Sequence, residues 1–177
     1  IKGSATLAQD VIQRDKLIDA LEADVDKLAV RIIALRAPMA DDLRELVAAL
    51  KISGVVERIG DYAKNIAKRV ALIDPVQHID AARLLPAMAD ATRQLVDDAF
   101  TAFARRDADL AVAVCAQDKT VDDFYNSIFR ALIAHMIENP EHVGAGTHLL
   151  FIAKNLERIG DHATNVSEMV YFAVTGQ

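Results

Sequence analysis

The chain has 177 residues, of which 53% are hydrophobic, 26% charged and only 5% aromatic, and its formal net charge at pH 7 is −6. Its seven Gly and four Pro are too few for the turns of an all-β fold, so the composition favours a mostly helical protein. The acidic balance argues against a nucleic-acid-binding protein, and no uncharged stretch reaches the roughly 18 residues that a membrane-spanning helix needs.

The single cysteine, Cys115, lies in the apolar run LAVAVCA. One thiol cannot form a disulfide within the chain and fits a reducing compartment, so we expect a soluble, cytoplasmic protein. We expect Cys115 to be a buried structural residue rather than a catalytic thiol.

The first half of the chain is predicted to form two long helices. Apolar residues recur at three- and four-residue steps over 5–35, which indicates an amphipathic helix, and a second helix is predicted over 41–73. Pro38 ends the first helix because the residue before a proline avoids helical geometry. The predicted core positions of the first helix are Leu7, Val11, Leu17, Leu21, Val25, Leu28, Ile32 and Leu35.

The second half is predicted to form three helices. The segment DPVQHID at 74–80 has the composition of a linker. The hydrophobic pattern then predicts helices over 84–105, 107–137 and 147–173, with the turn ENPEHVGAG before the last of them.

The two halves align with each other, except for one helix. RDKLID at 14–19 matches QDKTVD at 117–122, an offset of 103 residues, which leaves helix 84–105 without a counterpart in the first half. We therefore expect an all-α protein of two tandem three-helix bundles, in which the first helix of the first bundle is missing from this chain. The predicted domains are 1–73 and 81–177, and the two-helix half is expected to expose apolar side chains.

An acidic nonapeptide occurs twice, as ERIGDYAKN from Glu57 and as ERIGDHATN from Glu157, with seven of nine positions identical. Its two acids and its final Asn are four residues apart and share one helix face. Like charges at this spacing cost a few tenths of a kcal/mol, and the mid-helix Gly costs about 1 kcal/mol relative to Ala. Because both unfavourable features occur in both copies, we infer that they serve a function. The Gly would clear space between the carboxylates. The residues on this face are Glu57, Asp61 and Asn65 in one copy and Glu157, Asp161 and Asn165 in the other.

The preceding helix of each half has its own acidic pair, Asp15 and Asp19 in the first and Asp118 and Asp122 in the second. Residues that lie level in an antiparallel hairpin have numbers with a constant sum. That sum is 76 for both pairs formed with Glu57 and Asp61, and 279 for both pairs formed with Glu157 and Asp161. Four carboxylates are therefore expected to converge in each hairpin.

Such a cluster needs compensating positive charge, and oxygen ligands suit divalent or trivalent ions such as Fe, Zn, Mn or Mg, bound singly or as multinuclear centres. A solvated acidic face neutralised by nearby Arg and Lys remains the alternative. A ferritin-like di-iron oxidase needs Glu-x-x-His on two helices, and no Glu of this chain has His three residues on. Asn65 and Asn165 are candidates for supporting the ligands, and His162 is expected to be a supporting or surface residue.

The segments PMADDLRELVAALKISGVVERIGDYAKNIAKR and AKNLERIGDHATNVSE resemble the two signature regions of the PhoU phosphate-signalling proteins, and the resemblance covers essentially the whole chain. It implies two three-helix bundles related by approximate two-fold symmetry, and multinuclear metal clusters bound by the Glu/Asp-x-x-x-Asp pairs named above.

The resemblance also implies a function without catalysis. Proteins of this family restrain phosphate-starvation signalling by coupling the ATPase of the high-affinity phosphate importer to a membrane sensor histidine kinase, and a homodimer is expected. Two alternatives remain open from the residues alone. One is a carboxylate-bridged metalloenzyme acting on phosphate esters or oxygen, and the other is a metal-free helical adaptor that binds a basic partner surface.

Overall fold

Five α-helices and two short 3-10 helices make up the structure, a computed structural model that describes residues 5–73 and 79–177. No strand occurs within these residues, so the prediction of an all-α fold is confirmed. The helices are α1 (Ala5–Arg36), α2 (Ala40–Val70), α3 (Leu85–Arg105), α4 (Ala108–Glu138) and α5 (Val143–Thr175).

The ends of the helices follow local sequence signals. Helix α1 ends two residues before Pro38, in accord with the conformational restriction before a proline. Helix α3 ends at Arg105, and the left-handed backbone of the next residue, Arg106 (φ 55°), closes the helix. Asp107 then caps α4, since its carboxylate accepts a hydrogen bond of 2.9 Å from the backbone N–H of Leu110.

Helix α5 begins at Val143, four residues before the predicted start at 147. The glycine-rich segment that indicated a turn lies inside the first turns of this helix. Gly146 is buried there, and a Cβ at this position would lie 2.5 Å from the sulfur of Met136 on α4. The glycine thus serves the close approach of two helices rather than a turn.

The predicted linker 74–80 lies mostly outside the described residues. Of its last two residues, Ile79 is buried and Asp80 begins a short 3-10 helix, Asp80–Leu84, that leads into α3. Helix α2 ends at Val70, three residues earlier than predicted. The domain limits of 1–73 and 81–177 stay a prediction.

Helix α5 is the centre of the packing. It contacts α2, α3 and α4, whereas α1 packs mainly on α2. Fully buried side chains from α3, α4 and α5 form one core, joined by Ile52 and Val55 of α2. Burial of each large aliphatic side chain is worth about 1.5–3 kcal/mol, so α5 ties the second half to the first. The largest of these fully buried apolar side chains are Met88, Ile128, Leu132, Val114, Val121, Val166 and Val170.

Helix α1 leaves most of its apolar stripe exposed. Helix α3 covers α4 and α5, but among the described residues no third helix covers α1 and α2 in the same way. The prediction of exposed apolar side chains on the first hairpin is therefore confirmed, whereas most of the predicted core positions of α1 are wrong. The predicted core residues that are exposed are Leu7, Leu17, Leu21, Leu28 and Leu35.

In the described part of the chain, none of the helices is both long and apolar enough to cross a membrane.

Candidate metal sites

The first acidic cluster consists of Asp15 and Asp19 on α1 and Glu57 and Asp61 on α2. The two helices do bring these acids together. The ammonium of Lys64 is ion-paired with Asp15 of α1 and lies 2.5 Å from Oδ1 of Asp61 on α2. Burial raises the pKa of Glu57, as do the charges of Asp61 and Asp19. The level pairing predicted from the residue numbers therefore describes this hairpin.

The second acidic cluster consists of Asp118 and Asp122 on α4 and Glu157 and Asp161 on α5. Each of the three aspartates offers one carboxylate oxygen, and these oxygens lie within 4.8 Å of one another. Burial, followed by the charges of Asp122, Asp161 and Glu157, raises the pKa of Asp118 to about 6. Burial, followed by the charge of Glu157, also raises the pKa of Asp161. The other three acids predicted for this hairpin thus contribute to the raised pKa of Asp118.

The glycine of each repeat lies where the two helices of its hairpin approach. A Cβ on Gly160 would lie 2.9 Å from Oδ1 of Asp118, so this glycine leaves room for a carboxylate of the second cluster. A Cβ on Gly60 would lie 2.9 Å from Cδ1 of Ile18 and 3.5 Å from Oδ1 of Asp15. The prediction that the glycine clears space between carboxylates holds for the second hairpin, whereas in the first the nearest atom is aliphatic.

A lysine lies inside the first acidic cluster. Lys64 bridges Asp15 and Asp61, and hydrogen bonds to these two residues raise the pKa of Lys64 above its usual range. The carboxylate of Asp15 is only 6% exposed, so this ion pair is well shielded from solvent. Thr164 takes the place of Lys64 in the second copy, and its hydroxyl donates a hydrogen bond of 2.7 Å to the backbone carbonyl of Asp161.

The positive charges of the second cluster come from other positions. Lys154 lies 2.6 Å from Oε2 of Glu157, and the equivalent position in the first copy is Gly54. Arg158 approaches Asp161 only to 3.8 Å. Within residues 5–73 and 79–177, no lysine is ion-paired with the three aspartates of the second cluster, whereas Lys64 pairs with Asp15 and Asp61 in the first.

Glu22, Lys64 and Lys154 belong to these sites but were not found from the sequence. The numbering rule that paired the acids would also have placed Glu22 level with Gly54, and a Cβ on Gly54 would lie 3.3 Å from Oε1 of Glu22. The same rule places Lys154 level with Tyr125, and its ammonium lies 4.9 Å from the centre of that ring.

The residues that follow the repeated aspartates, Tyr62 and His162, form a contact between the two copies of the repeat. His162 is buried, with 9% exposure, and its ring stacks on that of Tyr62, which holds the same position in the other copy of the repeat. Of the two alternatives for His162, a surface position is therefore wrong, and a supporting role stays a prediction. Asn165 lies 3.2 Å from Nδ1 of His162, measured from its side-chain nitrogen, and Asn65 is exposed. Support of metal ligands by Asn65 and Asn165 stays a prediction.

Cys115 is exposed, so the prediction of a buried structural cysteine is wrong. Its Sγ lies 4.0 Å from the backbone carbonyl of Thr164. Partial desolvation raises the pKa of the Cys115 thiol, and so do the charges of Glu168 and Asp118. A raised pKa disfavours the nucleophilic thiolate.

The second acidic cluster has the properties of a site for a hard cation. Its candidate donors are carboxylate oxygens, which Mg²⁺, Mn²⁺ and Ca²⁺ prefer. Three such oxygens within 4.8 Å of one another can be spanned by one ion at metal–oxygen distances of about 2.0–2.6 Å. Burial, followed by the neighbouring carboxylates, raises the pKa values of Asp118 and Asp161, and a bound cation would favour the ionised form of both.

Comparison with known proteins agrees with the resemblance noted in the sequence. A family model described as "PhoU domain" matches residues 1–70 and 85–170. The chain is 49% identical over 177 residues to the phosphate-specific transport system accessory protein PhoU homolog of Zymomonas mobilis, covering 100% of this chain and 75% of that protein. The homolog of the same description from Caulobacter vibrioides is 45% identical over 172 residues, covering 97% of this chain and 75% of that protein.

Two crystal structures share the fold. PhoU from Pseudomonas aeruginosa superposes with a TM-score of 0.91 at 36% sequence identity, covering 99% of this chain and 84% of that chain. The phosphate transport system regulatory protein PhoU from Streptococcus pneumoniae also gives a TM-score of 0.91, at 25% identity, covering 99% of this chain and 82% of that chain. On the agreement of sequence, signature residues and fold, the chain belongs to the PhoU family.

Proposed function

We propose that this protein is a non-catalytic, metal-binding regulator of phosphate uptake. Its similarity to accessory proteins of the phosphate-specific transport system supports the link to phosphate transport. The observation that supports metal binding is the convergence of Asp118, Asp122 and Asp161, whose carboxylate oxygens lie within 4.8 Å of one another.

The residues of the second acidic cluster would hold the metal between two helices. Asp118 and Asp122 approach from α4, and Asp161 and Glu157 from α5. A bound divalent or trivalent ion would supply the positive charge that these carboxylates lack. The chain itself keeps the acids close by burying the apolar faces of α4 and α5 on either side of them, and Gly160 leaves the space that Asp118 occupies.

Membership of the PhoU family supports a regulatory role. We infer that the protein couples the ATPase of the phosphate importer to a sensor histidine kinase and restrains the phosphate-starvation response when phosphate is plentiful. Both partners present surfaces to the cytoplasm, so the protein would act there, peripheral to the membrane and as a homodimer.

The test of metal binding begins with protein purified without chelator, in which bound Mg, Mn, Fe and Zn are measured by mass spectrometry. Replacing both Asp61 and Asp161 by Asn should lower the metal content and the thermal stabilisation that metal gives. Replacing the exposed Asp123, which lies outside both clusters, provides the matched control. An unchanged metal content in the double variant would overturn the assignment.

The regulatory role is tested in the host. Deletion of the gene should derepress phosphate-uptake genes in high-phosphate medium, and complementation with the double variant shows whether the acids matter for this effect. The same purified protein is assayed for hydrolysis of a phosphate monoester with each metal. Metal-dependent turnover that is lost on replacing Glu57 or Glu157 would establish the metalloenzyme alternative instead.

A further inference from the structure

The two acidic clusters differ in whether an ammonium group of the protein itself joins the two helices. Lys64 of α2 contacts Asp15 of α1 and lies 2.5 Å from Asp61 of its own helix. We propose that Lys64 acts as a built-in cation of the first acidic cluster, so that the second acidic cluster is the high-affinity metal site and the two repeats are unequal in function. The proposal rests on the metal binding proposed above.

The geometry of Lys64 fits the role of an internal counterion. Its side chain is 22% exposed, and the Asp15 carboxylate that it contacts is almost completely buried. A metal ion that used both Asp15 and Asp61 would have to displace the ammonium and break two ion pairs. Breaking a buried ion pair leaves an uncompensated charge, which is strongly unfavourable unless the incoming ion replaces every lost contact.

Among the residues that the structure describes, no lysine joins the two helices of the second cluster in this way. Thr164 stands at the position of Lys64, and its hydroxyl is hydrogen-bonded to the backbone of its own helix. Lys154 pairs with Glu157 and leaves the three aspartates available. Within 5–73 and 79–177, these aspartates form a group of acids that brings three possible ligand atoms within 4.8 Å, and the first cluster forms none.

The presence of a lysine in one cluster and not in the other therefore depends on one position of the repeat. Seven of its nine residues are shared, and Lys64 against Thr164 is one of the two changes. Exchanging these residues between the copies should exchange the metal affinities of the clusters.

The experiment uses the full chain, freed of metal with a chelator and then titrated with Mn²⁺ in a calorimeter. The wild-type protein should show a tight class of sites that is lost in Asp118→Asn. Lys64→Thr should add a second class that binds Mn²⁺ at least 10-fold more tightly than the first cluster of the wild-type protein does. This added class should disappear when Asp15→Asn is combined with Lys64→Thr. Thr164→Lys should weaken the original tight class at least 10-fold.

Lys68→Thr is the control, because it removes one positive charge from an exposed position one turn along the same helix. It should leave both classes of sites unchanged. Circular dichroism checks that each variant is helical, and Lys64→Met, which keeps most of the aliphatic stem, replaces Lys64→Thr if the latter fails to fold.

The outcomes separate the two proposals. A wild-type protein that binds no Mn²⁺ and no other divalent ion overturns the metal-binding function itself. A wild-type protein whose two clusters bind Mn²⁺ with equal affinity, and whose affinities do not respond to Lys64→Thr or Thr164→Lys, overturns only the role of Lys64. Equal effects of Lys64→Thr and Lys68→Thr would likewise reduce Lys64 to a general surface charge.

Discussion

The rings of Tyr62 and His162 stack on each other, with their centres 5.4 Å apart and their planes 23° apart. The two residues hold the same position in the two copies of the repeated nonapeptide, one on α2 and the other on α5. Equivalent positions of two copies meet close to the axis that relates the copies. The resemblance to the family implies such an axis, and the contact of Tyr62 with His162 is a point where the two copies of the repeat meet across α2 and α5.

This contact predicts a dependence of stability on pH. Burial lowers the pKa of His162 from its usual value of 6.5, and the charge of Arg58 lowers it further. Because the unfolded chain then binds the proton more readily than the folded one, the folded state should lose stability as the pH falls below 6.5 and through the folded pKa.

Urea unfolding of metal-free protein between pH 7.5 and 5 measures this loss. His162→Tyr, which introduces the residue of the other copy, should remove the part of the pH dependence that arises from the imidazole, and His162→Gln should do the same. Equal losses in the wild-type protein and both variants would show that other groups cause it.

The second prediction concerns Asp118, whose pKa is raised from 3.8 to about 6. Below pH 3.8 this carboxyl is neutral in both states, and above about pH 6 the folded state carries the full unfavourable free energy of ionising it. Asp118→Asn should therefore stabilise the metal-free protein at pH 7–8 and have little effect below pH 4. Two pKa units correspond to about 3 kcal/mol, and screening by solvent reduces the expected gain to about 1–2 kcal/mol.

Bound metal should make the wild-type protein more stable than Asp118→Asn. With Mn²⁺ at 100 times its dissociation constant, the wild-type protein should gain about 2.7 kcal/mol in its free energy of unfolding, and Asp118→Asn should gain much less. Thermal melts at pH 7.5 with chelator and with Mn²⁺ measure both effects. Replacement of the exposed neighbour Asp123 by Asn should change neither melt, and an Asp118→Asn variant that is less stable than the wild-type protein in chelator would contradict the argument.

The sequence was sufficient for the helices and for the pairing of the acids, because both depend on regular geometry. Apolar periodicity predicted five helices, and the constant sum of residue numbers placed Asp15 near Asp61 and Asp118 near Asp161. The partners of a lysine ammonium cannot be predicted by such a rule. Its flexible stem allows several partners, and only the packed hairpin determines that Lys64 contacts Asp15.

Other differences from the predictions came from tertiary packing. The glycine-rich segment before 147 indicated a turn by its composition, but Gly146 is required where α5 approaches Met136 of α4. Likewise, the sequence left open whether His162 is a supporting or a surface residue. The packing of α2 against α5 buries that side of the helix, and this contact between the two halves could not be predicted from either half alone.

The third prediction compares two glycines of α5, one beside the second acidic cluster and one in open space. A Cβ on Gly160 would lie 2.9 Å from a carboxylate oxygen of Asp118, whereas a Cβ on Gly144 would meet no atom within 4 Å. The Asp118 side chain can rotate away, so Gly160→Ala should fold with nearly unchanged stability but bind Mn²⁺ at least 10-fold more weakly.

Gly144→Ala is the control for that variant. It should stabilise the protein by up to about 0.5 kcal/mol through the higher helix propensity of Ala and should leave Mn²⁺ binding unchanged. Calorimetric titration and urea unfolding of both variants provide the comparison. If Gly160→Ala bound Mn²⁺ as tightly as Gly144→Ala, the glycine would not be required for the position of Asp118.

The last prediction concerns two leucines of opposite burial. Leu21 of α1 is 64% exposed, whereas Leu132 of α4 is completely buried. Leu132→Ala should lower the free energy of unfolding by about 2–5 kcal/mol, because it leaves a cavity in the core that α3, α4 and α5 share. Leu21→Gln should change it by less than about 0.5 kcal/mol, since it removes little buried surface. Urea unfolding at several protein concentrations measures both. A large, concentration-dependent loss for Leu21→Gln would mean that the apolar stripe of α1 is covered in solution by another copy of the chain, and the same variant would then shift the oligomeric state toward monomer.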